Sequence, residues 1–206
     1  MLYPIGIQSF KDIREGGYHY VDKTGLVYQI THSGKYYFLS RPRRFGKSLL
    51  LSTIESYFEG RKDLFEGLAI SELEKDWNVY PVIHIDLNTG SYDTIDGVIR
   101  RLDLTLTEQE KKHGVSAIDS DAALRFEFLI KNVYEQYGSK VVVLVDEYDK
   151  PLLEAIGKPE LQEAMRDKLR AFYSVIKSCD QYIRFALLTG VTKFGRLSVF
   201  SGLNNL

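Results

Sequence analysis

The chain has 206 residues, 44% of them apolar and 27% charged, which is ordinary for a globular protein with room for one domain and its core. Its net charge of −1 gives no bulk electrostatic case for nucleic-acid binding. The sequence has no apolar run of membrane-spanning length, no signal-peptide profile and only one cysteine, so we expect a cytoplasmic protein without an internal disulfide.

The first part of the chain, residues 1–34, is predicted to be a flank that packs on a domain formed by residues 35–206. Within this flank, Asp22 or Thr24 is the expected N-cap of a helix that runs to about Thr31. The apolar residues that follow predict a buried strand over residues 35–40.

The stretch after this strand has the layout of a phosphate-binding loop: a strand, a tight loop that ends in Gly-Lys-Ser, and a helical pattern. Backbone N–H groups of the loop and the positive end of the helix can cradle the negative charges of a triphosphate. Lys47 would reach the β- and γ-phosphates, and the Ser48 hydroxyl would hold a magnesium ion. The predicted nucleotide-binding residues are Pro42, Arg43, Arg44, Phe45, Gly46, Lys47, Ser48 and Leu49.

One residue departs from the usual pattern of such loops, which has a glycine where this chain has Arg41. Glycine tolerates the positive φ of a tight turn, and arginine does so only at a cost. We therefore expect the chain to leave the strand by a different path, one that the fixed φ of Pro42 helps to set.

The middle of the chain predicts a second buried strand over residues 80–87, with Pro81 at its start, where a missing N–H does least harm. His84 lies inside this strand, and no other histidine or cysteine stands at metal-ligand spacing from it. This pattern favours a core histidine with satisfied hydrogen bonds over a zinc ligand.

Residues 88–137 are predicted to be mainly helical. Ser91 or Asp93 is the expected cap of the first helix, and Asp121 that of the second, which Gly138 ends. The second helix is predicted to place four apolar residues on or near one face: Leu124, Phe128, Ile130 and Val133.

The third predicted strand, residues 140–146, contains five consecutive aliphatic residues, a pattern typical of a central parallel strand that is buried on both faces. It ends in Asp146 and Glu147, at the edge where open α/β sheets bind ligands. Asp146 would hold magnesium, through a water or together with Ser48, and Glu147 would orient and polarise the attacking water. For Asp149, both a helix cap and a catalytic role stay open.

The last elements are an amphipathic helix over residues 159–178 and a strand over residues 182–188. Thr189, at the tip of this strand, is the candidate for sensing the γ-phosphate or fixing the attacking water. In the tail, Lys193 and Arg196 either point back at the phosphates or are ordinary surface charges.

Four segments of the chain resemble the bacterial AAA-ATPase-like domain family and occur in the family's order: residues 20–24, residues 40–49, residues 145–151, and residues 188–191 together with 200–205. The resemblance implies an ATPase with a phosphate-binding loop, a P-loop, and an extra strand between the loop strand and the Asp-Glu strand. It makes Arg41 a family trait. The preference for ATP rests on the resemblance, since the guanine-reading pattern Asn-Lys-x-Asp is absent.

Members of this family usually continue into a C-terminal domain similar to PD-(D/E)xK nucleases. The chain is therefore expected to be truncated at its C-terminus, and a nuclease-like domain or another partner is expected in the full-length protein. A homo-oligomer is a further expectation, and binding of nucleic acid has no direct support in the sequence.

Together these observations predict a three-layer α/β domain with the P-loop NTPase fold and a mainly parallel sheet. The strand of residues 182–188 should lie between those of residues 35–40 and 140–146, with right-handed crossovers between parallel strands. The predicted function is magnesium-dependent binding and hydrolysis of ATP, which drives or gates a partner domain. Lys47, Glu147 and Thr189 are the predicted catalytic residues, and Ser48 and Asp146 the predicted metal ligands.

Three alternatives stay open at this point. A nucleotide-gated interaction module with little turnover fits the lack of an arginine at a diagnostic position, with Arg43, Arg44 and Arg196 as the candidates for an arginine finger. A small-molecule kinase would need a lid with paired arginines, and Glu147 beside Asp146 argues against it. A scaffold without nucleotide leaves both motifs unexplained.

Overall fold

The computed structural model of the protein describes residues 2–117 and 119–192. It contains a four-stranded sheet whose strand pairs are all parallel, with the order β1-β4-β3-β2. The strands are β1 (Tyr36–Ser40), β2 (Val82–Asp86), β3 (Val141–Asp146) and β4 (Ile183–Gly190). The prediction that the last strand lies between the first and the third is confirmed.

Eight α-helices accompany the sheet in the described part of the chain. They are α1 (Phe10–Glu15), α2 (Thr24–Ser33), α3 (Lys47–Phe58), α4 (Ala69–Leu73), α5 (Ile95–His113), α6 (Ala122–Tyr137), α7 (Lys150–Glu154) and α8 (Pro159–Ser178). Short 3₁₀ helices occur at Lys62–Phe65 and Asp180–Tyr182. None of the helices in residues 2–117 and 119–192 combines the length and apolar character that crossing a bilayer requires.

The sheet is buried on both faces, because successive side chains of a strand point in opposite directions and both faces are covered by helices. On one face, Val142 and Leu144 pack with apolar residues of α1–α4. On the other, Val143 and Val145 pack with residues of α5, α6 and α8. The architecture is therefore the predicted three-layer α/β one, of the P-loop NTPase type.

The helix α5 starts later than the sequence predicts. Its N-cap is Thr94, whose hydroxyl accepts a hydrogen bond from the N–H of Gly97. The hydroxyl of Ser91 instead contacts the carboxylate of Asp93, at 3.1 Å. The predicted caps, Ser91 and Asp93, are therefore wrong, because these two side chains bond to each other in the preceding turn.

The helix α6 has the predicted ends and a buried face that differs from the predicted one. Asp121 caps its first turn, accepting from the N–H of Ala123 at 2.8 Å, and Gly138 ends it with a φ of 63°. Leu124 is 52% exposed. The inward positions are taken by Arg125, Phe126, Leu129, Ile130 and Val133.

Arg125 points inward because it has an ionic partner on α5. Its Nε and Nη2 atoms donate to the two carboxylate oxygens of Glu110, at 2.9 and 2.7 Å, and both side chains are almost fully buried. A bidentate arginine–carboxylate pair is the geometry in which such a buried pair is tolerated. The pair fixes α6 against α5.

The N-terminal segment packs on the α3 side of the sheet. The N–H of Phe10 donates to the Ser52 hydroxyl at 2.9 Å, and Asp22 accepts from the N–H of Thr24 and of Ala69. Lys23 holds the N-cap position of α2 without a side-chain cap, so Asp22 supplies the capping bond from one residue further out. The domain boundary at residue 34 remains a prediction.

His84 lies on β2 with its Nδ1 atom 2.8 Å from a carboxylate oxygen of Glu55 on α3. Burial by itself lowers the pKa of His84, but the hydrogen bond and charge of Glu55, with the charges of Asp146 and Asp86, raise it above the usual value. Burial raises the pKa of Glu55, and its bonds to His84 and Lys112 more than offset this and lower it. The predicted core histidine is thus bonded at Nδ1, while Nε2 has no partner within the described residues.

We expect this ion pair to stabilise the fold only while His84 carries its proton. Because the folded pKa of His84 is raised, the contribution is complete below the unfolded pKa of about 6.5 and is lost as pH rises through the higher folded value. The measurement is the free energy of unfolding of wild type and His84→Gln, followed from about pH 6 to about pH 9.

The stability difference between the two proteins should shrink as the pH rises. His19→Gln, which changes an exposed histidine, is the matched control. A difference for His84→Gln that is constant over this range would show that the charge of the imidazole plays no part.

Candidate functional site

The predicted site residues meet at the edge of the sheet where the strands end. Because all four strands are parallel, β1, β3 and β4 end at the same edge, and β4 is hydrogen-bonded to both of the others. The loop after β1 leads into α3, whose first residues are Lys47 and Ser48. The tip of β3 carries Asp146, and the end of β4 carries Thr189.

Asp146 is the residue on which the other predicted groups converge. Its Oδ2 atom accepts a hydrogen bond from the Ser48 hydroxyl at 2.6 Å, and its Oδ1 atom accepts from the hydroxyl of Thr189 and from the N–H of Glu147. The Asp146 side chain is only 4% exposed. The carboxylate is therefore held in one orientation by three donors.

Ser48 and Asp146 have the chemistry of magnesium ligands. Magnesium prefers oxygen ligands, keeps several of its waters and is usually held by one or two protein carboxylates together with substrate phosphates. Within the described residues no group of three or more His, Cys, Asp or Glu side chains forms a closed metal cage. The pair therefore fits a magnesium ion shared with a phosphate, and does not form an all-protein site.

Lys47 is buried beside this pair, and its ammonium faces oxygen atoms. The Nζ atom lies 3.0 Å from Oε1 of Glu147 and within 3.4 Å of the backbone carbonyl oxygens of Arg41 and Pro42. The side chains of Lys47 and Glu147 are 4% and 12% exposed. A phosphate that reaches Lys47 must therefore compete with the carboxylate of Glu147.

The loop follows the different path that Arg41 predicts. Arg41 is not among the residues with positive φ, and its N–H donates to the carbonyl oxygen of Gly190 at 3.1 Å. The left-handed residues of the loop are Arg44, with φ of 67°, and Gly46, with φ of 76°. The tight turn is thus made close to the helix and not where the strand ends.

The remaining loop residues surround the start of α3. The side chains of Pro42, Arg43, Arg44 and Phe45 are exposed, with Phe45 at 69%. Leu49 is partly buried and packs on the core cluster of the α3 side. Lys193 and Arg196 fall outside the described residues.

Glu147 begins the turn that links β3 to α7, and its φ of 53° lies in the left-handed region. The next residue, Tyr148, donates its N–H to the carbonyl oxygen of Thr189 at 3.0 Å and its hydroxyl to the carbonyl oxygen of Thr192 at 2.9 Å. These bonds join the turn after β3 to the end of β4.

Asp149 does not act as the side-chain cap that the sequence offers as one alternative. It occupies the N-cap position of α7, but its carboxylate makes no capping bond there. The side chain is fully buried and accepts hydrogen bonds from the N–H of Val191 and from the N–H and hydroxyl of Thr192.

Asp86 was not among the predicted site residues, although the structure places it next to Asp146 in the register of β2 and β3. Its carboxylate is partly exposed and lies 3.9 Å from the guanidinium of Arg101. The sequence contains a signal for this residue, because an acid at the end of the second predicted strand should lie at the edge that the carboxyl ends of all parallel strands share.

Comparison with known proteins identifies the family of the chain. A family model described as "Predicted AAA-ATPase" matches residues 4–200. The chain is 46% identical over 205 residues to a protein of Azotobacter chroococcum mcd 1 named "Uncharacterized protein in vnfD 5'region". The match covers 98% of this chain and 40% of that protein, so the chain spans less than half of the relative's length. No solved structure matches.

The close approach of Gly190 to the turn after β3 leads to a prediction. A Cβ atom at this position would lie 2.5 Å from Oδ1 of Asp149 and 2.5 Å from Cε1 of Tyr148. We expect Gly190→Ala to lower the free energy of unfolding by about 2 kcal/mol, because overpacking forces side chains and backbone to shift.

Denaturant unfolding measures this difference, with Gly25→Ala as the matched control. A Cβ on Gly25 would meet only Ala69, at 3.8 Å, so this change should be neutral or slightly stabilising in helix α2. Equal stability of the two variants would contradict the close packing at Gly190.

Proposed function

We propose that the chain, which belongs to the predicted AAA-ATPase family, binds ATP together with magnesium at the loop of residues 41–48 and hydrolyses it. The observation that carries this proposal is the contact of the Ser48 hydroxyl with the Asp146 carboxylate at 2.6 Å. A cation placed between these groups and a phosphate would neutralise charge on the phosphate oxygens and withdraw electrons from the phosphorus.

The phosphates would be held by the loop and by Lys47. The start of α3 presents N–H groups without intrahelical partners, and the left-handed Gly46 precedes it. The buried Lys47 ammonium would stabilise the charge that develops on the transferred phosphoryl group. When a phosphate takes its place beside Lys47, the Glu147 carboxylate is released.

Glu147 would act on the attacking water, and Thr189 would act on the proposed metal ligand Asp146. The released Glu147 carboxylate stands at the strand tip next to Asp146 and can accept a proton from a water, as a general base does. Thr189 is fully buried and its hydroxyl donates to Asp146. A shift of the Asp146 carboxylate on metal binding would therefore be transmitted through this hydrogen bond to β4.

An interaction module that binds nucleotide and turns it over slowly is the second candidate. The contact of Glu147 with Lys47 at 3.0 Å favours it, because a carboxylate held by an ammonium is not free to orient a water. Turnover measured beside binding separates the two functions.

The work that the nucleotide drives is also a matter of proposal. The relative is more than twice as long as the matched segment. We infer that in longer proteins of this kind the ATPase segment drives or gates a second domain, and that these proteins act in the cytoplasm, where a lone buried thiol such as Cys179 stays reduced.

The first test is binding of ATP and of GTP, each with magnesium, to wild type and to Lys47→Ala. We expect wild type to prefer ATP and the variant to lose at least about 100-fold in affinity, because truncating one member of a buried charged contact costs several kcal/mol.

Lys35→Ala is the matched control for this test. It removes a lysine that contacts Asp180 at the opposite edge of the sheet, and nucleotide affinity should not change. If Lys47→Ala binds ATP as well as wild type does, the loop is not the nucleotide site.

The second test is Glu147→Gln, with binding and hydrolysis measured on the same preparations. Binding should be kept or become tighter, because the competing carboxylate is gone, while turnover should fall by about 10²- to 10⁴-fold, the usual contribution of a general base.

Glu154→Gln is the control for this change, since it neutralises an acid on α7 that contacts Lys150 outside the site. Normal hydrolysis by Glu147→Gln would rule out its proposed role. Binding without turnover in wild type would favour the interaction module.

A further inference from the structure

The end of β4, defined here as residues 189–192, is fastened to both halves of the candidate site. On the loop side, the Arg41 N–H donates to the carbonyl oxygen of Gly190, and the Ser40 hydroxyl donates to that of Val191 at 2.9 Å. On the other side, this segment contacts Asp146, Tyr148 and Asp149. The β4 end therefore connects the predicted phosphate loop with the predicted metal ligand.

The Asp149 carboxylate is the centre of the second set of contacts. Its Oδ2 atom accepts from the N–H of Thr192 at 2.6 Å, from the Thr192 hydroxyl at 2.6 Å and from the N–H of Val191 at 3.0 Å. Its Oδ1 atom lies 3.2 Å from the same Val191 nitrogen. Two consecutive N–H groups thus point at one carboxylate, as in the backbone nests that bind anions.

This carboxylate is fully buried, and within the described residues no cation lies within ion-pair distance of it. A buried charge that is compensated only by neutral donors is expensive. The three donors to Asp149 all come from residues 191 and 192, so this one side chain ties the turn after β3 to the β4 end.

The contacts of Asp149 fix the backbone around Gly190. Its carboxylate binds the two residues that follow Gly190, and Gly190 has no room for a side chain against Asp149 and Tyr148. The residue before Gly190 is Thr189, whose hydroxyl donates to Asp146. Fixing residues 190–192 therefore fixes the direction of the Thr189 side chain.

We propose that Asp149 is a positioning residue for ATP hydrolysis: by anchoring the β4 end, it keeps the Thr189 hydroxyl on Asp146 and so orients the metal-binding carboxylate. This inference rests on the proposed function, since it assigns a role within the same site. The hydrogen bonds of the Asp149 carboxylate go to Val191 and Thr192 and not to residues 42–48, so it would act on the alignment of the metal ligand and not on the capture of the phosphates.

Asp149→Asn is the variant that tests it. The amide has nearly the same shape, but it removes the negative charge that attracts the three donors. Its NH₂ group also replaces one of the two carboxylate oxygens that face the Val191 N–H, and it cannot accept that hydrogen bond. We expect turnover to fall by about 100-fold, because small displacements of groups that align a reaction have effects of this size. Affinity for ATP in EDTA should stay within about threefold, as for a group that leaves ground-state binding unchanged.

A second readout follows the metal directly. In wild type, magnesium should tighten ATP binding, and in Asp149→Asn this gain should be largely lost. Thr192→Val, which removes one of the three donors and keeps both N–H groups, should lie between the two proteins. Val133→Ala, on the buried face of α6, is the control for a loss of stability alone. It should keep both the turnover and the increase in ATP affinity that magnesium causes.

The outcomes distinguish the proposed role of Asp149 from the proposed ATPase function. Asp149→Asn with wild-type turnover and a wild-type magnesium gain overturns the role of Asp149 and leaves the ATPase standing. Wild type that binds Mg·ATP without turnover overturns hydrolysis. The effect of magnesium on ATP affinity, compared between wild type and Asp149→Asn, then tests only whether Asp149 aligns the Asp146 carboxylate. Wild type that binds no ATP overturns both.

Discussion

The contact between Ser48 and Asp146 joins two segments that are 98 residues apart in the chain, and the rest of the fold serves to bring them together. Ser48 lies in the first turn of α3, the helix after β1, and Asp146 ends β3. These strands are not neighbours, because β4 lies between them. Only a parallel arrangement of all three puts both residues, with Thr189 of β4, at one edge of the sheet. The contact thus depends on the register of two strand pairs, β1 with β4 and β4 with β3.

Backbone strain is concentrated at this edge. Of the three described non-glycine residues with positive φ, Arg44 and Glu147 belong to the site and only Trp77 lies elsewhere. Such conformations cost about 1–3 kcal/mol each and persist where the surroundings fix them. Around Glu147 the fixing contacts are the Lys47 ion pair and the bond of its own N–H to Asp146. The strain therefore follows from holding an acid directly behind the proposed metal ligand, Asp146.

The sequence predicts the central elements of this protein well, because their signals are local. The aliphatic run of β3, the period of α8 and the Gly-Lys-Ser loop each specify their own structure, and the sheet order follows from the family resemblance. The contacts of Asp149 could not be read from the sequence, because its donors lie 42 and 43 residues further along the chain. Likewise, the sequence predicts that Leu124 faces the core, but the structure places Arg125 there, because Arg125 pairs with Glu110 on another helix.

The balance of charge at this edge bears on the proposed binding of ATP together with magnesium. The carboxylates of Asp146, Glu147 and Asp149 are all buried or nearly so at this edge. Among the described lysines, Lys47 is the one that is buried. A polyphosphate brought into this edge without a cation would add like charge in a region of low dielectric, where repulsion is strong. The N–H groups of residues 191 and 192 compensate Asp149 without a second cation. Under the proposed function, the Lys47 ammonium would exchange Glu147 for a phosphate, and a divalent ion at Asp146 would supply the charge that remains to be neutralised.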